Sequence, residues 1–157
     1  MPIFAKFDGI DGESTDADHA RWIEIASFTW GLLAPGEAVE GKVRRLAGAA
    51  LQDFSLAFRY EKAAPKLLDK CAKGALIPKL DIELTSPAGG RETAYLRYQF
   101  KNVTVSSYTA TASPTHQEGV PVVSIAMGCE KAKVTYTEYD DSGNGHGNVE
   151  TSVKVRR

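Results

Sequence analysis

The sequence predicts an all-β fold, a small barrel or sandwich of about eight strands with one short flanking α-helix. Three observations carry this. Apolar residues recur with a period of two through most of the chain. Only one segment has helical spacing, and clusters of Gly, Pro, Asp and Asn separate the runs.

The first strand runs from Ile3 to Asp8, and Gly9-Ile10-Asp11-Gly12-Glu13 forms the turn after it. Ile23 and Ile25 share a face, whereas Phe28 and Trp30 have the opposite parity. A one-residue phase change would turn the later apolar groups to solvent, so a bulge is predicted near Ala26-Ser27. Gly31 to Ala50 holds Pro35, four glycines, Lys42, Arg44 and Arg45, and reads as a long loop of the kind that is functional or disordered. Phe54, Leu56, Phe58 and Tyr60 then alternate with Ser55, Ala57 and Arg59 as a half-buried strand.

Ala64 to Gly74 is the helix. Pro65 stands near its first position and Gly74 past its end. Ala64, Leu67, Leu68 and Cys71 make a narrow apolar stripe, with Lys66, Asp69, Lys70 and Lys73 opposite. Leu80, Ile82 and Leu84 alternate with Asp81 and Glu83, and Pro87-Ala88-Gly89-Gly90 turns that strand into the next. There Leu96, Tyr98 and Phe100 are followed by Val103 and Val105 on the other parity, which predicts a second bulge near Lys101-Asn102. Val123, Ile125, Met127 and Cys129 form one further strand, and Val134 with Tyr136 mark another. After a turn from Asp140 to Asn148, Val149, Val153 and Val155 share the face of the last strand. No internal repeat divides these elements, and residues 1–157 are expected to form one domain.

Charge is balanced, with 19 basic and 20 acidic side chains and a net charge of −1. A duplex DNA binder needs a basic surplus to neutralise phosphates, so no nucleic-acid partner is expected. No apolar run is long enough to span a bilayer, so membrane insertion is not expected, and the N-terminus lacks the pattern of a secretory signal. Cys71 and Cys129 match no metal-binding spacing and read as two reduced, buried thiols, which suits a cytoplasmic compartment.

Chemical motifs are sparse. Asp8, Asp11, Glu13, Asp16 and Asp18 cluster, but the alternate positions Ile10 and Gly12 offer no side-chain oxygen to calcium; the cluster reads as turn and cap chemistry. His19, His116 and His146 have no zinc spacing. There is no nucleophile elbow, and Gly36 to Gly41-Lys42 is followed by Val43 where a phosphate loop needs Ser or Thr. Asp81 and Glu83 share a strand face that reads as solvated. Lys42, Arg44 and Arg45 could hold an anion or a partner's acidic surface, or simply be solvated. No cofactor, metal or catalytic group is expected.

A resemblance spans nearly the whole chain. Gly12-Glu13-Ser14-Thr15-Asp16-Ala17-Asp18-His19, running into Trp22-Ile23-Glu24-Ile25 and Phe28-Thr29-Trp30-Gly31, resembles the opening of the Hcp family, the tube proteins of bacterial type VI secretion. Asp53-Phe54-Ser55-Leu56, the stretch from Glu61 to Leu67, Cys71-Ala72-Lys73-Gly74, the stretch from Tyr98 to Tyr108, and Gly147-Asn148-Val149-Glu150 are similar to it in the same order. Many members are glycine-rich where Glu37 to Leu46 is charged.

The resemblance implies a phage tail-tube-like β-barrel protomer. It further implies homo-hexameric rings that stack head to tail into a tube, with sheath, spike and effector proteins as partners. The subunit would be cytoplasmic before assembly and leave the cell through the type VI apparatus without a signal peptide. The long loop matches the family's position for ring-to-ring contact, which makes Pro35, Gly36, Glu37, Lys42, Arg44 and Arg45 the candidate stacking residues. Two other readings stay open. One is a small-ligand-binding barrel of lower oligomeric state with a pocket lined by Trp22 and Trp30; the other is a hydrolase using scattered carboxylates.

Overall fold

The computed structural model describes residues 2–33, 36–37, 45–46, 50–51, 53–114, 119–140 and 142–154. In chain order the strands are β1 (Ile3–Phe7), β2 (Ile23–Ile25), β3 (Ser27–Thr29), β4 (Leu32–Leu33), β5 (Gly36–Glu37), β6 (Arg45–Leu46), β7 (Ala50–Leu51) and β8 (Phe54–Arg59). The helix α1 (Ala63–Lys73) follows, and then β9 (Ile77–Ala88), β10 (Arg91–Thr111), β11 (Val122–Gly128), β12 (Lys131–Tyr139) and β13 (Gly145–Lys154). Nine of the strands make one antiparallel sheet in the order β2-β1-β9-β10-β11-β8-β3, with β12 against β10 and β13 against β12. The class is all-β, as the alternation predicts, and the sheet does not close.

The two parity changes mark the places where strands change partner. The Ala26 N–H donates to the Ala57 carbonyl at 2.8 Å, between β2, which pairs with β1, and β3, which pairs with β8. β10 leaves β12 after Lys101 and joins β11 at Thr104. Between them Asn102 takes φ 53°, a left-handed conformation that Asn tolerates better than most residues. Its side-chain amide donates to Glu130 Oε2 at 2.7 Å, which ties the switch point to the turn between β11 and β12. The pairing with β9 runs through Lys101 and Val103 without a register shift, so the bulge predicted near Lys101-Asn102 is not found there; the register shifts of β10 lie between Ala94 and Leu96 and between Val105 and Ser107.

The core lies between the two halves of the folded-over sheet. Phe54, Leu56 and Phe58 of β8 and Val123, Ile125 and Met127 of β11 are buried against Leu80 and Ile82 of β9 and Phe100 of β10. Phe54 stacks on Phe100 with ring centres 4.1 Å apart, and Phe28 and Trp30 close over Tyr98 and Phe100. Aromatic side chains thus fill the space that a ligand-binding barrel would leave open.

The helix packs on β10 through Ala63, Ala64 and Leu67. Gly74 ends it at φ 60°, and its N–H donates to the Cys71 carbonyl while that of Ala75 donates to Lys70. These bonds occupy carbonyls that the last turn leaves free. Leu68 corrects the predicted stripe. It is 47% exposed, because one step of about 100° carries it past the edge of the buried face.

Phe100→Ala removes the ring on which Phe54, Trp30 and Phe28 all bear. It should cost about 3–5 kcal/mol of unfolding free energy in urea titration. A loss below about 1 kcal/mol would contradict this account of the core.

Candidate assembly surface

The pair registers place side chains in straight rows across the strands. On the inner face one row is Phe7, Leu80, Phe100, Ala132 and Val153; the next is Ile23, Ala5, Ile82, Tyr98, Val134 and Thr151. A third is Ile25, Ile3, Leu84, Leu96, Tyr136 and Val149. Burial falls along each row towards β13. In the third it runs from 6% exposure at Ile25 to 47% at Tyr136 and 75% at Val149. The strands β3, β8 and β11 cover the inner face only as far as β10 and the start of β12. Beyond them β12 and β13 overhang, with Tyr136, Val149 and Thr151 of their inward face exposed.

The alternation of Val149 and Val153 therefore gives the right face but not burial; Val149 is open and Val153 half-buried. The predicted turn from Asp140 to Asn148 is also shorter than expected, since β13 already begins at Gly145. Among the described residues β13 pairs only with β12, so its outer backbone edge has no partner strand. Ten residues of free edge beside an apolar face form a site for pairing with another chain.

Within the predicted long loop the described residues form two short antiparallel pairs. Leu32 and Leu33 pair with Leu51 and Ala50, and Gly36 and Glu37 pair with Leu46 and Arg45. Two-residue rungs are too short to show alternation, which is why this stretch reads as loop. Of the predicted stacking residues, Gly36 and Glu37 lie in β5 and Arg45 in β6, with Glu37 and Arg45 at paired register positions. Pro35, Lys42 and Arg44 lie outside the described residues.

One constellation was not legible in the sequence. His19 is 5% exposed, with Nδ1 2.8 Å from Asp16 Oδ2 and Nε2 2.9 Å from Glu83 Oε1. Both ring nitrogens thus face carboxylate oxygens. The ring lies flat on Phe4 at 4.3 Å and edge-on to Trp22 at 4.8 Å, and Arg97 Nε stands 3.6 Å from the other Glu83 oxygen. Glu83 is thus engaged, and the reading of its face as plainly solvated is corrected there.

The network pins the segment after β1 onto the outer face of the sheet. Gly12 belongs to the same clasp: its N–H donates to Arg21 O at 2.7 Å, and a β-carbon would sit 2.4 Å from Trp22 O. The hydrogen bond from His19 holds the Asp16 carboxyl below its ordinary value. Trp22 is on the outer face and Trp30 on the inner, so the two do not line one pocket.

Cys71 and Cys129 are free and half-buried rather than fully buried, and burial together with nearby Asp53 pushes the Cys129 thiol up to about 11. A thiol so raised is a poor nucleophile at neutral pH. Among the described residues no group of three or more His, Cys, Asp or Glu side chains is arranged to hold a metal ion, and no helix is long and apolar enough to cross a membrane.

Residues 4–140 match the family described as type VI secretion system effector, Hcp. The chain belongs to the Hcp family. No curated protein sequence matches it significantly. Among solved structures it is similar to one described as a type six secretion system protein, with 27% identity, a TM-score of 0.86, and 94% of this chain and 91% of that one covered. A type VI secretion system effector from Yersinia pestis is 25% identical, with a TM-score of 0.77 over 98% of this chain and 99% of that one. Hcp1 from Salmonella typhimurium, at 23% identity and a TM-score of 0.79 over 98% and 93%, has the same fold. In this Hcp chain the motif from Gly12 to Trp22 is the stretch that carries the His19 clasp.

The clasp predicts a pH dependence. A lowered carboxyl contributes stability above the unfolded aspartate value, about 3.9, and loses it as pH falls through the lower folded value. Wild type should therefore be more stable than Asp16→Asn at pH 7, and the difference in denaturation midpoint should shrink steadily as pH falls below the ordinary aspartate value. A difference that is constant with pH would contradict the charged contact.

Proposed function

We propose that residues 1–157 act as one tube-protein domain, a non-enzymatic subunit that assembles into hexameric rings and stacks them head to tail into the type VI secretion tube. Membership of the Hcp family supports this, and the single observation that carries it is the β12–β13 overhang. A free antiparallel edge pairs readily with another strand, and the exposed faces of Tyr136 and Val149 gain about 25 cal/mol for each Å² of apolar surface covered. β2 is the other end of the same half of the sheet, so joining β13 of one copy to the flank of the next uses two different surfaces. Such contacts are heterologous and close into a ring when the rotation permits.

Stacking is the second contact. The pairs of Leu32–Leu33 with Ala50–Leu51 and of Gly36–Glu37 with Arg45–Leu46 stand apart from the nine-stranded sheet, and we assign this stretch to the contact with a neighbouring ring, with Pro35, Gly36, Glu37, Lys42, Arg44 and Arg45 as its contact residues. Sheath, spike and effector proteins are the further partners. The subunit is made in the cytoplasm and leaves through the apparatus. Turnover needs a convergent cluster of reactive groups; here the raised Cys129 thiol and the buried His19 of the outer face supply none at the overhang.

Electron microscopy of the purified protein should show annuli end-on. Val149→Asp should abolish them and leave single protomers whose unfolding free energy is within about 0.5 kcal/mol of wild type, since the side chain is exposed in the lone subunit. Intact annuli in that variant would remove the overhang from the ring joint. Arg44→Glu with Arg45→Glu should shorten or abolish stacked tubes and leave single rings of unchanged mass. Tubes of unchanged length would remove this stretch from the stacking contact.

A further inference from the structure

The outer face of the same strands carries a row of like charges. Lys79 of β9 is opposite Lys101 of β10, Lys101 is opposite Lys131 of β12, and Lys131 is opposite Lys154 of β13. Strands lie about 4.8 Å apart, so four lysine positions are set in a line roughly 14 Å long. Like charges directly opposite each other destabilise a sheet. The neighbouring rows avoid this: Lys6 is opposite Asp81, Glu83 opposite Arg97, and Thr135 opposite Glu150. A chain with a net charge of −1 has no general basic surplus to account for the row.

Local compensation is partial. Lys79 pairs with Asp81 at 3.4 Å, and Lys133, one row further in, pairs with Glu150 at 3.2 Å. Among the described residues no carboxylate lies within ion-pairing distance of Lys101, Lys131 or Lys154. The nearby Glu130 side chain accepts from Asn102.

We propose that this lysine row is a recognition surface for an acidic protein, one that presents clustered carboxylates to it. The position of the row rests on the ring reading. If sheets join at β13, the bulk of each protomer, with β3, β8, β11 and α1, must lie on the wide side of the cylinder. The outer face then lines the bore, and each copy adds its row to one basic belt. The occupant is a protein rather than a nucleic acid. Asp81, Glu83 and Glu150 stand on the same face and would repel an extended phosphate backbone.

The test uses poly-L-glutamate as the probe, with fluorescence anisotropy as the readout and the mass of the assembly measured in parallel. Wild-type protein should bind poly-L-glutamate at low salt, more weakly at 0.15 M salt, and should not bind poly-L-lysine. Lys101→Gln, Lys131→Gln and Lys154→Gln combined should weaken binding at least tenfold, with assembly mass unchanged and thermal stability equal or higher once the repulsion is gone. Lys101→Glu alone, which breaks the row with one opposite charge, should weaken it as well.

Equal binding by wild type and the triple variant would overturn the proposal and leave the ring reading standing, provided rings form. An oligothymidylate bound more tightly than poly-L-glutamate at the same salt would also overturn it, in favour of nucleic acid. Row-dependent binding by a protein that stays a single copy would support the lysine surface and remove the ring.

Discussion

The two halves of the folded sheet are unequal in width, and the rest of the structure depends on that mismatch. Three apolar rows run across the wide half, and the narrow half covers only part of them. Burial in the covered part anchors the core on Phe54, Phe100 and their neighbours. The uncovered part leaves Tyr136, Val149 and the full length of β13 at an open margin. Soluble proteins usually protect such edges by shortening, charging or bulging them. Here the edge strand is ten residues long and carries Val149 almost free in solvent, which suits a protein whose edges are joined in use.

The corners of the sheet are built by local devices. Ala26 lets one run of chain serve both halves by bonding across to Ala57. Asn102 does the same for β10 by adopting a left-handed conformation and tying its side chain to Glu130. The segment between β1 and β2 is held by the His19 clasp, so the side of the sheet away from the core is partly occupied near β1 and β9 and open towards β13. The lysine row lies across that outer face and ends at the free edge.

How much of this was legible in the sequence depends on distance along the chain. Alternation in Phe54 to Phe58 and in Val123 to Met127 located buried strands, and the two parity changes located both partner switches. Alternation assigns a face but says nothing of depth, so Val149 reads like Val123 although one is open and the other closed. The two short pairs within the predicted loop were missed because each strand is two residues long and the sequence between them is broken by Gly, Pro and charge. His19 and Glu83 are 64 positions apart, and their contact follows only once β1 is laid against β9. The family resemblance was carried by short motifs spread along the whole chain, and the match over residues 4–140 bears it out.

The central claim is that the free edge of β13 is sealed by a second copy, and amide hydrogen exchange at residues 145–154 reads this most directly. In the assembled particle the outward-facing amides of β13 should exchange slowly, as those of β11 do inside the sheet, and they should exchange quickly when the particle is diluted to single copies. Rapid exchange along the outer edge of β13 in an intact ring would contradict the account and place the joint elsewhere on the subunit.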